Sequence, residues 1–298
     1  MSQGTPYEDE ATDPQMGRPL DAVTSTARIR GIVKGRGPAV VLVHGFPETH
    51  MAWHRIWDML ASKFTVIACD LRGYGDSVAL GGDFTFRTMG EEILEVMDQL
   101  AVDRFQLVGH DRGGRVAHRI AVDHADRVSS ITLIDILPTA MVWEMMDARL
   151  ARAYWHWPFL AQPEGVPERL IASDPIGFLH AWLGIGGSKT ITPDALASYE
   201  RAALRPSVQR AFCADYRAAA GPDLDIDARD RPVSGFPARI FWGREGLLGT
   251  GPDPVALWRS IFPDIAGREL PGGHFIPEES PLELLEALLP FLAENANS

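Results

Sequence analysis

Five short, nearly uninterrupted apolar runs constrain the fold of this chain more than any other feature: Ala39 to Val43 (AVVLV), Thr65 to Cys69 (TVIAC), Phe105 to Val108 (FQLV), Ile131 to Ile134 (ITLI) and Arg239 to Trp242 (RIFW). A strand with one wet face alternates apolar and polar residues, so runs without alternation suit a parallel sheet covered on both faces. Between them, Met89, Ile93, Leu94, Met97 and Leu100 recur at helical spacing, and Val116 to Val122 continues the pattern. Strand and helix alternate, which predicts an α/β fold. The alternation stops after Ile134. From about 138 to 232 there are helical stretches, many aromatics and no convincing strand, and the alternation resumes at Arg239. The expected organisation is a loose N-terminal tail (1–22), a core made of 23–137 and 233–298, and an inserted, mainly helical cap (138–232). A last helix, roughly 281–293, closes the second half of the core.

At 298 residues, with 46% hydrophobic and 23% charged content, the chain can bury one full core. No apolar run approaches the roughly 20 residues of a spanning helix, and the start, MSQGTPYEDEATDPQ, is acidic where a signal peptide is basic and then apolar. The expected location is the cytoplasm. Cys69 and Cys213 are too few for a disulfide framework and read as structural thiols. A net charge of −12 argues against a nucleic-acid partner, because affinity for a polyanion rests on clustered Lys and Arg. It does not exclude a small anion, which a few arginines in a pocket can select.

The chemistry concentrates at Gly109-His110-Asp111-Arg112-Gly113-Gly114, directly after one strand and before a helix. G-x-Nuc-x-G in that context makes the sharp turn that pushes a nucleophile into a cleft in an α/β-hydrolase fold. Here the nucleophile is Asp111. A serine attacking sp3 carbon would leave a stable ether, whereas a carboxylate leaves an ester that water can cleave. The residue type therefore selects displacement of a halide or opening of an epoxide, followed by ester hydrolysis. His44-Gly45-Phe46-Pro47, after an earlier strand, is where this architecture places an oxyanion amide, so the backbone N–H groups of Phe46 and Arg112 are candidates for that role. His274, in Gly272-Gly273-His274-Phe275, fits the order nucleophile, acid, base. His50 and His54 in HMAWH lack the Glu of a zinc helix, and no cofactor or metal is expected.

Many members of this fold carry the acid in a W-G-x-x-D run after the later strand, but Trp242-Gly243-Arg244-Glu245-Gly246 has glycine at that place. Asp135, just past the strand Ile131 to Ile134, is the replacement, with Glu245 as its rival. A carboxylate there can hold the His274 tautomer and stabilise its imidazolium. Arg112 and Arg115, three apart on the elbow helix, are placed to lean toward the cleft with forks that match a carboxylate.

Gly109 to Arg115 (GHDRGGR), Leu133 to Thr139 (LIDILPT), Trp155 to Pro163 (WHWPFLAQP) and Asp215 to Arg217 (DYR) together resemble the haloacetate dehalogenase family, over nearly the whole chain from about residue 20. The resemblance implies hydrolysis of a short 2-haloacid such as fluoroacetate, with Asp111 as nucleophile and Asp135 and His274 completing the triad. It further implies that Arg112 and Arg115 bind the substrate carboxylate, that His156, Trp157 and Tyr216 surround the departing halide, and that the enzyme is a homodimer. All three halide residues carry a donor, which a leaving anion requires. Two departures stand out. Asp76 occupies a place where relatives carry Trp and is expected to alter a pocket wall, and the segment 184–192 (GIGGSKTIT) is shorter than its counterpart and is expected to alter the entrance. An epoxide hydrolase, with Tyr154, Tyr199 or Tyr216 as acid, is the second reading. A non-catalytic small-ligand binder on the same fold is the third.

Overall fold

All five apolar runs become strands of one sheet in the computed structural model, which describes residues 17–184 and 190–296. Among the described residues nine strands pair: β1 (Arg18–Val23), β2 (Ala27–Lys34), β3 (Ala39–Val43), β4 (Thr65–Cys69), β5 (Val78–Ala79), β6 (Phe105–His110), β7 (Val128–Ile134), β8 (Ala238–Gly243) and β9 (Ala266–Leu270). Their order is β1-β2-β4-β3-β6-β7-β8-β9, with β5 beside β2. From β4 to β9 every pairing is parallel, and the antiparallel pairs all involve β2. Burial explains the lack of alternation. Val40 to Val43 and Val128 to Ile134 are buried at every position because helices cover both faces. After β4 the chain crosses over β3 to place β6 on its other side, and ligands of open α/β sheets lie at the strand ends where the order reverses in this way.

The ordered core begins earlier than a tail of 1–22 allows. Arg18 to Val23 pairs with β2 from Arg18 opposite Val33 to Val23 opposite Arg28, with Leu20 and Ala22 turned inward. The period-two signal is only two apolar positions long and contains Pro19, so sequence alone misses it. Residues 1–16 lie outside the described part of the chain.

The helices Phe86–Gln99 and Arg112–Asp123 flank β6, and Pro281–Glu294 covers the opposite face, packing Leu284, Leu285, Leu288 and Leu292 against Val40, Leu42 and Val108. Between β7 and β8 the described residues of the cap form helices and no strand, from Thr139–Glu144 to Pro222–Asp227. Proline punctuates it, at the first turn of Val166–Ser173, Pro175–Leu183, Pro193–Ala203, Pro206–Ala219 and Pro222–Asp227. At that position the missing N–H has no helical partner to lose. Asp147, Asp174 and Thr192 add side-chain N-caps. No helix among the described residues is long and apolar enough to cross a membrane. Cys69 and Cys213 are free and buried.

Candidate active site

Asp111 sits between the last residue of β6 and the first of the helix Arg112–Asp123, at φ 44° and ψ −115°. Side chains other than glycine rarely adopt positive φ, and such a residue costs about 1–3 kcal/mol unless its surroundings enforce it. Here they do. A Cβ on Gly113 would lie 2.1 Å from the Val43 carbonyl oxygen, and one on Gly109 would lie 2.5 Å from that of Gly113. Only glycines let β3, β6 and the helix approach closely enough to force the turn. The Asp111 carboxylate, 7% exposed, then faces the ends of β3 and β7, and its Oδ2 accepts a hydrogen bond from Phe46 N–H at 3.1 Å.

Asp135 follows β7 directly and also has positive φ, 50°. Both of its oxygens are engaged. Oδ1 accepts from Gly243 N–H at 2.9 Å and Oδ2 meets His274 Nδ1 at 2.6 Å. This assigns Nδ1 as the protonated nitrogen and turns Nε2 toward Asp111, whose Oδ2 lies 3.9 Å away. Glu245, the rival acid, is exposed on the far side of the turn, its backbone N–H bonded to Gly272 O. Gly243 has a positive requirement of its own, because a Cβ there would lie 1.8 Å from the Gly273 oxygen and push the His274 loop away.

A second layer supports the base. His110 lies between Glu48 Oε2, 2.9 Å from Nδ1, and the His274 carbonyl, 2.8 Å from Nε2, while Glu48 Oε2 also accepts from Gly45 N–H. One glutamate thus ties the Phe46 loop to the His274 loop through the residue before the nucleophile. The sequence reading passed over Glu48, though it directly follows the His44-Gly45-Phe46-Pro47 turn.

Asp111, Asp135 and His274 border a cavity of about 180 Å³ with Arg115, Ala153, Tyr154, His156, Trp157, Trp182, Leu247 and Phe275. The expected cap residues divide. His156 and Trp157 line the cavity. Tyr216 stands one layer back, edge-on to Phe46, His156 and Trp157 at 5.2, 5.5 and 6.0 Å between ring centroids. The Tyr216 hydroxyl and His156 Nδ1 are buried without a hydrogen-bond partner among the described residues. The two arginines also divide. Arg112 does not line the cavity; its Nε and Nη2 are bonded to the buried Asp215 of the cap helix Pro206–Ala219, at 2.9 Å for Nε, and only Nη1 is unpartnered. Most of the Arg112 fork is thus committed to Asp215, since a buried guanidinium takes a nearby carboxylate before it takes a ligand. Arg115 donates through Nη1 to Leu137 O (2.9 Å) and Thr139 Oγ1 (2.7 Å), stacks 4.8 Å from the Trp157 ring centre, and leaves Nε buried and unpartnered. Asp76 does not touch the cavity either. Its side chain is 72% exposed and pairs with Arg205. Within 184–192, residues 185–189 lie outside the described part of the chain. Trp182, which the sequence reading did not single out, lines the cavity and donates to Phe46 O at 3.2 Å.

The chain matches the α/β-hydrolase fold family over residues 38–281. It is 39% identical to a fluoroacetate dehalogenase from a Burkholderia species, covering 89% of this chain and 90% of that one. A soluble epoxide hydrolase from Corynebacterium sp. (strain C12) is 29% identical over 91% and 96%. A Pseudomonas aeruginosa structure provisionally described as an epoxide hydrolase superposes with a TM-score of 0.89 at 39% identity, covering 95% and 98%. The chain belongs to the α/β-hydrolase family. Within it, it is related to the branch that holds fluoroacetate dehalogenases, haloalkane dehalogenases and epoxide hydrolases.

In this α/β-hydrolase the charges around the triad oppose burial. Burial pushes the Asp111 carboxyl up, but His274, Arg112 and His110 outweigh it and hold the group far below the usual carboxylate range. Burial pulls His274 down, and Asp111 and Asp135 outweigh it and raise the imidazole well above its ordinary value. Burial keeps His156 neutral, well below the usual imidazole range. One group of possible metal ligands lies outside the site: atoms of His118, Asp227 and Asp230 come within 4.8 Å of one another. Arg119 already sits 3.2 Å from Asp227 and 2.8 Å from Asp230, where a cation would have to compete with it.

Proposed function

We propose that Asp111 attacks a saturated carbon of a short 2-haloacid, expelling halide and forming an ester that water then cleaves. The observation that carries the substrate class is Arg115. It is a buried guanidinium on the same cavity as the nucleophile, and among the described residues no carboxylate lies within ion-pair distance of it. Burying a charge costs several kcal/mol unless something compensates it, and a bound carboxylate is that compensation.

In the first step one Asp111 oxygen bonds to the carbon while the carbon–halogen bond breaks, and the halide takes the bonding pair toward His156, Trp157 and Tyr216. Asp111 needs no base for this, which fits its 3.9 Å separation from His274 Nε2. Esterification removes one of the two negative charges that raise the His274 pKa, leaving Asp135, so the imidazole gives up its extra proton more readily once the ester exists. His274 then takes a proton from water, the hydroxide adds to the Asp111 carbonyl carbon, and Phe46 N–H stabilises the resulting oxyanion. Collapse returns the Asp111 carboxylate and the hydroxy acid, and His274 releases its proton to solvent.

An epoxide hydrolase is the second reading, and the P. aeruginosa and Corynebacterium relatives support it. It shares every step but the first leaving group, and it uses phenols such as Tyr154, on the cavity wall, and Tyr216 to protonate the opened oxygen. The deciding assay measures halide release from fluoroacetate and chloroacetate beside diol formation from styrene oxide, in the parent and in Arg115→Met. A charge-assisted hydrogen bond is worth about 1.5–3 kcal/mol, so Arg115→Met should lower haloacid kcat/KM about tenfold to hundredfold. Comparable turnover of chloroacetamide would remove Arg115 from substrate binding, and diol formation without halide release would transfer the assignment to epoxides.

A further inference from the structure

Beside the reaction cavity lies a second one, also about 180 Å³, lined mainly by apolar side chains: Leu137, Val142, Met145, Leu150, Leu248 and Pro252. Tyr154 and Leu247 belong to the linings of both cavities and form the wall between them. The wall lacks the hydrogen bonds that fix the triad. The Tyr154 hydroxyl makes no hydrogen bond among the described residues, and its ring rests on Trp157 and His156 at 5.5 and 5.8 Å. Leu247 and Leu248 occupy the turn after β8, which many folds of this kind reserve for the catalytic acid. Because Asp135 does that work here, the turn is free to present leucines.

Resting on the haloacid reading, we infer that this second cavity is a subsite for an apolar substituent on the reacting carbon, so that the substrates are 2-haloalkanoic acids with a short alkyl chain as well as haloacetate. The argument is stereochemical. The reacting carbon of a 2-haloacid has four substituents. Arg115 takes the carboxylate, and the cap donors take the halide, opposite Asp111. Of the two positions left, one holds hydrogen, and the other points at the wall left unassigned, formed by Tyr154 and Leu247. Behind that wall lies an apolar space, where burying each methylene is favourable by the hydrophobic effect. Only one enantiomer presents its chain to the wall with the carboxylate and halide correctly held, so the subsite makes the enzyme enantioselective, and displacement at the carbon inverts it.

The test compares chloroacetate, 2-chloropropanoate and each enantiomer of 2-chlorohexanoate in the parent, Leu150→Trp and Met145→Trp. Both substitutions fill the outer cavity from positions outside the reaction cavity. The parent should hydrolyse one enantiomer of 2-chlorohexanoate, with inversion, at a kcat/KM within about tenfold of chloroacetate, since methylene-scale fit in an apolar pocket is worth factors of that order. Either filled variant should lose about tenfold or more on that substrate while retaining chloroacetate turnover; retained turnover also shows that the variant folds. Rejection of both 2-chlorohexanoates by a parent that hydrolyses chloroacetate would overturn the subsite and leave the haloacid reading standing, as would filled variants that affect the two substrates equally. Failure on chloroacetate and every other chloroacid would overturn the haloacid reading and the subsite with it.

Discussion

The triad half of the site, built on the core, and the substrate half, roofed by the cap, follow opposite rules. In the triad half, Asp135 uses both oxygens, His274 is held at Nδ1 and through its carbonyl, and Glu48 Oε2 accepts from Gly45 N–H and His110 Nδ1, although Glu48 Oε1 has no partner among the described residues. In the substrate half, Arg112 Nη1, Arg115 Nε, His156 Nδ1 and the Tyr216 hydroxyl are buried and unpartnered among the described residues. Each unmade buried hydrogen bond costs about 1–3 kcal/mol. Satisfied groups fix a geometry; unsatisfied ones are tolerated where another molecule completes them. The difference separates residues that define the reaction from residues that choose what enters it.

The largest expected effect breaks the core. His274→Asn should permit halide release once and then stop, lowering turnover by roughly three orders of magnitude or more, as removal of a triad member does. Intact-mass and peptide analysis should find the adduct on Asp111, and an unmodified Asp111 with turnover preserved would refute the covalent route. Next comes the tie between the two halves. Asp215→Ala leaves the buried Arg112 without its carboxylate and should cost about 3–5 kcal/mol of stability, read from urea unfolding midpoints, because an uncompensated buried charge remains. A stability change of about 0.5 kcal/mol or less, the size of a surface change, would mean that Arg112 finds compensation elsewhere.

Smaller effects belong to the cap. If Tyr216 contributes as an oxyanion donor does, Tyr216→Phe should cost about 2.7–4 kcal/mol in the fluoroacetate barrier, seen in kcat with KM nearly unchanged, and clearly less with bromoacetate. Equal losses for both halides would reduce Tyr216 to a packing residue. The smallest effect is on pH. The Asp111 carboxyl is depressed, so it stays ionised and the first-turnover burst of halide should be flat from about pH 5 to 8. Steady-state turnover should fall toward the acid end, because the His274 of the ester intermediate must be neutral to take a proton. A burst that falls in parallel with steady state would place a titrating group in the first step.

Sequence made the core half legible because its signals are local. The apolar runs, the glycines at 109 and 113, and the strand-end positions of Asp111 and Asp135 each follow from neighbours within a few residues. The cap half was legible only in part. The fork of Arg112 is committed to a carboxylate 103 residues away, and no spacing rule reaches that far. Tyr216, expected beside the halide, is not among the cavity-lining residues but touches His156 and Trp157, which are, and Asp76, expected on the pocket wall, points to solvent. Both depend on how the cap docks, and helical periodicity says which face of a helix is buried but not against what.

Asp215 has one more consequence. It joins a cap helix to Arg112 on the elbow helix and, through a 2.6 Å bond, to the hydroxyl of Tyr74 in the loop after β4, while Trp182 is tied to Phe46 and Tyr199 to Glu278. A roof bolted at that many points should not swing as a unit. Traffic must pass by rotation of individual side chains, a process that solvent drag hardly touches. Turnover should therefore be nearly indifferent to added glycerol or sucrose, whereas an enzyme that opened a whole domain for each substrate would slow in proportion to viscosity.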